Sequence, residues 1–178
     1  MKRILLLIIF ITTQATSSYG AEHASKQKIA IDNSMIFNLS TTALDNTKFS
    51  LNNSLNKLTI VNFWAYWCGI CKAELSILEK VYRQYNAKGV EIIGITIDEK
   101  SKIHKVAKIT EKLSFKNAFF NDSQIFIQHQ KNRQALPQPR SIPETYFIDR
   151  NQKIIGIYQG ELEFKEIAKI IDQELEKN

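Results

Sequence analysis

The feature that most constrains this chain is a change of hydrophobic period around residues 58–85. The run Leu58-Thr-Ile-Val-Asn-Phe-Trp64 is apolar at nearly every position, the pattern of a strand buried on both faces. Beyond it, Leu75, Leu78, Val81, Tyr82 and Tyr85 recur at three- and four-residue spacing. That spacing predicts an amphipathic helix over about residues 68–86, with Gly89 as its stop. At the junction stands Trp67-Cys68-Gly69-Ile70-Cys71, and Cys68 and Cys71 are the only cysteines of the chain. Two cysteines three apart, where a strand becomes a helix, can close a small disulfide and open it again. A redox reaction is therefore the first function implied.

The remaining pattern places this junction in an α/β domain. Residues 35–39 and 48–51 read as short strands with turn chemistry at Asp45-Asn46. Residues 90–97 read as a second buried strand, 100–112 as a helix and 117–120 as a short strand. Asn121 or Asp122 is expected to cap a short helix carrying Ile125, Phe126 and Ile127. Residues 130–140 are polar, contain Pro137 and Pro139, and read as a loop. Two strands, at 144–148 and 153–158, are joined by a turn at 149–152. A last helix carries Phe164, Ile167, Ala168, Ile171 and Leu175 on one face. Parallel strands need a crossover helix, whereas the last two can pair through a tight turn. The expectation is a mixed central sheet with helices on both faces, in one domain over residues 35–178.

Ahead of that domain, Lys2 and Arg3 precede an apolar stretch at 4–11 and a small-residue segment with Ser18 and Gly20 before Ala21. This is a secretory signal pattern over residues 1–20, too short for a membrane span, followed by a loose segment over 21–34. An uncleaved anchor is the alternative. No cysteine lies near the cut, which excludes a lipid anchor on that residue. An exported pair of cysteines, in a periplasm or otherwise outside the cytoplasm, meets oxidising surroundings and stays reduced only if electrons are supplied. Removing Lys2 and Arg3 lowers the formal charge from +6 to +4. Lys100, Lys102, Lys105, Lys108 and Lys112, opposed by Glu99 and Glu111, read as a solvated helix face, so nucleic acid is not an expected partner.

Helix N-termini present unpaired N–H groups and a positive dipole end, which favour a thiolate. Cys68 is therefore the expected nucleophile, with its pKa below the ordinary value of about 8.5, and Cys71 the resolving thiol. A purely structural disulfide is the alternative, but so short a loop removes little unfolded-chain entropy. Two cysteines supply half of a closed zinc site, and His23, His104 and His129 show no ligand spacing. Neither a metal nor a cofactor is expected.

Asn62-Phe-Trp-Ala-Tyr-Trp-Cys68 and Ser141-Ile-Pro-Glu-Thr-Tyr-Phe-Ile-Asp149 resemble two motifs of the exported thiol-disulfide oxidoreductases of the TlpA/ResA/CcmG (DsbE-like) type. The resemblance covers essentially all of the mature chain. It implies a thioredoxin-like three-layer sandwich with an N-terminal β-hairpin. It also implies a cis Pro143 packed against the cysteines, with Ile142 offering backbone hydrogen bonds to a substrate peptide; from the residues alone, Pro143 is equally a strand boundary. Glu74 matches a glutamate that influences the cysteine pKa values in ResA-like proteins, though an ordinary surface glutamate fits the spacing as well. Glu144 is a further acid of the second motif. Asn62 stands where cytoplasmic thioredoxins carry a buried acid. Trp64, Tyr66 and Trp67 are expected to flank the site, with a core position as the alternative for Trp64, and residues 130–140 to shape partner choice, with a loop without a role as the alternative. The chain departs from the family at Gly69-Ile70, and at Ser76, where a helix proline is usual. The implied function is reduction of exported proteins, apocytochrome c among the candidates, by a monomer supplied from a membrane thiol donor. An oxidase or general redox protein of the same fold, and a binding module with a static disulfide, are the alternatives. A peroxidase is disfavoured because both cysteines lie in one CxxC.

Overall fold

The computed structural model describes residues 26–31, 35–51, 56–129, 132–135 and 141–177. The expected signal segment lies outside them, as do residues 130, 131 and 136–140 of the expected loop.

The apolar run forms strand β4, Leu58–Trp64, in which all seven residues are buried. It is flanked on one side by β5, Val90–Thr96, in parallel, and on the other by β9, Glu144–Asp149, antiparallel. Outward from β5 lies parallel β6, Lys116–Phe119. Outward from β9 lies β10, Ile154–Gln159, and then the two-residue β1, Gln27–Lys28. Within the segment expected to be loose, the described residues 26–31 thus carry an edge strand. Ile29 and Ile31 pack against the core, and Lys26 pairs with Glu166.

The alternation of β4 divides the interior in two. Leu58, Ile60 and Trp64 face a core shared with α1 (Gly69–Tyr85), α2 (Ile103–Thr110) and α3 (Phe164–Leu175). Val61 and Phe63 point the other way, into a core shared with Phe37, Leu39 and Phe49. That second core is closed by a four-stranded sheet. Its strands are β2 (Ile36–Thr42), β3 (Lys48–Ser50), β7 (Gln124–His129) and β8 (Asn132–Ala135), in the order β3-β2-β7-β8. The thioredoxin-like α/β sandwich and its hairpin are as expected. The layer opposite the described helices is a sheet, where helices had been expected on both faces.

The short helix expected at Ile125, Phe126 and Ile127 is strand β7, and residues 132–135 of the expected loop are strand β8. Three consecutive apolar residues fit either state. The pairing Phe37↔Ile127 and Leu39↔Ile125 decides it, because β2 would otherwise leave an unpaired edge. Asp45 and Asp149 make the expected turns, with side-chain oxygens accepting from Thr47 N at 2.9 Å and Asn151 N at 2.8 Å.

Candidate active site

The carboxyl end of β4 delivers the cysteine pair to the start of α1. Cys68 is the N-cap, with extended backbone, and its Sγ accepts from Cys71 N at 3.2 Å. The two are joined in a disulfide with a Cα–Cα distance of 5.3 Å. Cys71 is fully buried and Cys68 is 7% exposed, so what exposure the pair keeps belongs to Cys68. Gly89 ends the helical region with φ 93°, a left-handed conformation that suits glycine. Ser76, at the position of the missing proline, donates to Lys72 O at 3.1 Å and lies on an unbroken helix.

The peptide bond Ile142–Pro143 is cis. Antiparallel pairing sets Glu144 opposite Phe63, so Pro143 lies level with the end of β4 that feeds the cysteines. Pro143 is buried, Ile142 is half-buried, and Pro143 O accepts from Gly160 N at 2.9 Å. Trp67 is 61% exposed and Ile70 is 42% exposed, whereas Trp64 is wholly in the core.

Glu74 is the site's buried carboxyl. One turn beyond Cys71, it is fully removed from solvent. Its Oε2 accepts from Asn62 Nδ2 at 2.7 Å and its Oε1 from Leu162 N at 3.0 Å, while Thr145 Oγ1 lies 3.5 Å from both oxygens. Asn62 Nδ2 also donates to Thr145 Oγ1 at 2.9 Å. Burial pushes the Glu74 carboxyl up from 4.5 to about 7. The donors at Leu162 and Asn62 oppose that rise, the charge of Glu161 adds to it, and Thr145 opposes it. Asn62 on β4 thus holds a carboxyl supplied by α1.

Glu144 is also buried but lies with Tyr146 and Ile148, on the face turned away from α1. It accepts from Tyr146 Oη at 2.6 Å and Gln159 Nε2 at 2.8 Å. The structure therefore brings Glu74 to the cysteine face and holds Glu144 across the sheet.

Asp98 went unnoticed in the sequence. It is 6% exposed, just past β5, and accepts from Tyr66 N at 2.8 Å and Thr96 Oγ1 at 2.6 Å. It thereby pins the loop that carries Trp67 and Cys68. Its only sequence signal is an acid directly after a buried strand, too common to act on. Among the described residues no group of three or more His, Cys, Asp or Glu could hold a metal.

Residues 32–157 match the model of the AhpC/TSA family. The chain belongs to the AhpC/TSA family. A relative from Oceanobacillus iheyensis, named thiol-disulfide oxidoreductase ResA, is 31% identical over 67% of this chain, which spans 58% of that relative's length. A protein of the same name from Bacillus thuringiensis subsp. konkukian is 27% identical over 89% of this chain and 87% of its own. Among solved structures, a thiol:disulfide interchange protein of the thioredoxin family from Chlorobium tepidum superposes with a TM-score of 0.63 at 19% identity, covering 83% of this chain and 99% of that one. StoA from Bacillus subtilis superposes with a TM-score of 0.54 at 14% identity, covering 78% and 96%. These superpositions establish the thioredoxin-like fold. A CxxC pair closed at the head of a helix on that fold gives this AhpC/TSA member the chemistry of a thiol-disulfide oxidoreductase.

Proposed function

We propose that this protein exchanges dithiol for disulfide with exported partner proteins, acting as a reductant fed by a membrane thiol donor, with apocytochrome c as one candidate substrate. The observation that carries the reading is the asymmetry of the pair, with Cys68 at the surface end of the helix and Cys71 sealed beneath it. In the reduced protein, the Cys68 thiolate attacks a partner disulfide, and one partner thiolate leaves. Cys71 then attacks Cys68 Sγ, the second partner thiolate leaves, and the chain is left oxidised. Two electrons pass to the partner, and two protons follow to its thiols. The amide of Cys71 and the helix N-terminus favour the attacking thiolate.

Cys71 needs a base before it can attack, and Glu74 has the proton affinity for that task near neutrality. Ile142 and Pro143 offer backbone to the bound segment, and Trp67 covers the approach to Cys68. Glu144 supports the start of β9 from the opposite face. Localisation outside the cytoplasm rests on the signal pattern at residues 1–20, and among the described residues no helix is long and apolar enough to cross a membrane.

The test is Cys71→Ala expressed in the native host. It is expected to accumulate mixed disulfides through Cys68 with exported proteins, which Cys68→Ala/Cys71→Ala lacks. Absence of such adducts, together with a wild-type disulfide that mild dithiothreitol does not open, would make the pair a static staple.

A further inference from the structure

Among the described residues, the large apolar side chains recorded as exposed are Trp67, Ile70 and Ile103. Trp67 adjoins Cys68 and Ile70 adjoins Cys71, so two of them are sequence neighbours of the cysteine pair, of which Cys68 keeps some exposure. Next to them Tyr66 is half-buried, its amide fixed by Asp98. The Tyr66 ring is capped by Lys105, whose Nζ lies 4.8 Å from the ring centroid. That contact ties α2 to the site.

Lys105 is one of a row. Lys102, Lys105 and Lys108 follow at three-residue spacing, which keeps them on neighbouring positions of one helix side. Lys112 extends the row just beyond the helix. None of these four forms an ion pair with another described residue, in contrast to Lys100, which binds Asp122 at 2.6 Å. Glu99 before the helix and Glu111 after it are the acids on this element. Elsewhere around the site, Lys72 is exposed next to Cys71, Asp98 is buried against the Tyr66 amide, and the charge of Glu161 acts on the buried Glu74. The apolar patch is therefore flanked by unmatched positive charge on the α2 side.

We infer that this surface receives a protein segment whose reactive cysteine is accompanied by acidic side chains. The apolar part of the segment covers Trp67 and Ile70, and its carboxylates lie along the lysines of α2. The inference rests on the proposed exchange through Cys68 and deepens it by naming the partner's chemistry. Exposed charges act mainly on the rate of encounter. Such steering ranges from about ten- to a thousandfold and weakens once the Debye length falls to a few ångströms at high salt.

The test uses the reduced full-length protein and two cystine peptides of equal length, one with aspartate and glutamate around the disulfide and one with lysine. Stopped-flow exchange is measured in about 20 mM and 500 mM salt, where screening differs several-fold in range. At low salt the acidic peptide is expected to react about tenfold faster, the low end of electrostatic steering, and the gap is expected to close at high salt. In Lys102→Glu/Lys105→Glu/Lys108→Glu the preference should reverse. The rate with oxidised dithiothreitol, which is neutral, should stay unchanged. Equal rates for the two peptides, or a preference that survives charge reversal, overturns the proposal. So does a lysine-dependent binding to anionic phospholipid vesicles with no peptide preference, which would assign the row to a membrane surface. If neither peptide nor oxidised dithiothreitol reacts at all, the exchange reading itself falls and takes this inference with it.

Discussion

Replacing Glu74 by glutamine removes a proton that burial forces on the folded chain. The unfolded carboxyl titrates near 4.5 and the folded one at about 7. Below the first value both states are protonated, and the contribution to stability is fully present. Between the two, the unfolded chain releases its proton while the folded chain keeps it, so stability falls as pH rises. Above about 7 both are ionised and the decline ends. The gap between the two values corresponds to roughly 3 kcal/mol of stability lost across that window. Glu74→Gln has nothing to titrate. The amide can accept through one oxygen only, so either Leu162 N loses its acceptor or Asn62 Nδ2 loses one of its two, at about 1–3 kcal/mol. That loss displaces the curve at every pH without bending it. The assay is urea unfolding of the oxidised protein, whose cysteines do not titrate, from pH 4 to 8 for both forms. The other shifted carboxyls, Asp45, Glu79, Glu91 and Glu166, are common to both proteins and drop out of the difference. Wild type minus variant should fall by roughly 3 kcal/mol between the ends of the range. A flat difference would mean that Glu74 titrates as an ordinary carboxylate, and the case for it as a base near neutrality would collapse.

Asp98→Ala strands the amide of Tyr66 and should destabilise the protein by about 1–3 kcal/mol while slowing exchange. Asp98→Asn, which keeps an acceptor, should recover most of both, and an unchanged exchange rate in the alanine variant would limit Asp98 to stability. A methyl group at Gly94 would stand 2.1 Å from Asn117 Oδ1 and 3.0 Å from Trp64 Nε1. Gly94→Ala should therefore lower the urea midpoint by the equivalent of about 1–3 kcal/mol, with part of the loss restored by adding Asn117→Ala. Trp67→Ala, at an exposed position, should change stability by less than about 0.5 kcal/mol yet slow exchange with protein disulfides more than with oxidised dithiothreitol. Equal slowing of both would place Trp67 in the chemistry of the cysteines instead of in partner contact.

The elements legible in the sequence are those whose pattern is local. Strand β4 announces itself by seven consecutive buried positions, and α1 by a helical period that starts at the cysteines. The turn at Asp149 was legible for the same reason, since its side chain satisfies amides two and four residues on. Strand β7 was not, because an Ile-Phe-Ile run carries no period and its identity depends on β2, more than eighty residues earlier. Glu144 belongs to the second motif, yet alternation along β9 turns it to the far face.

The sequence by itself determined the reactive unit: a buried strand that ends at Trp64, a cysteine at the helix cap and a second cysteine one turn in. Each part follows from residues within a few positions of one another. Only the tertiary structure decided how that unit is tuned. Glu74 is buried by contacts with Asn62, Thr145 and Leu162, which are 12, 71 and 88 residues away along the chain. The loop before Cys68 is pinned by Asp98, just past the neighbouring strand and 32 residues from the amide it holds. The proton affinity of a carboxyl depends on the water it has lost and the donors it has gained. Both are set by the packing of α1 and α3 on the sheet, which no local pattern in the chain encodes.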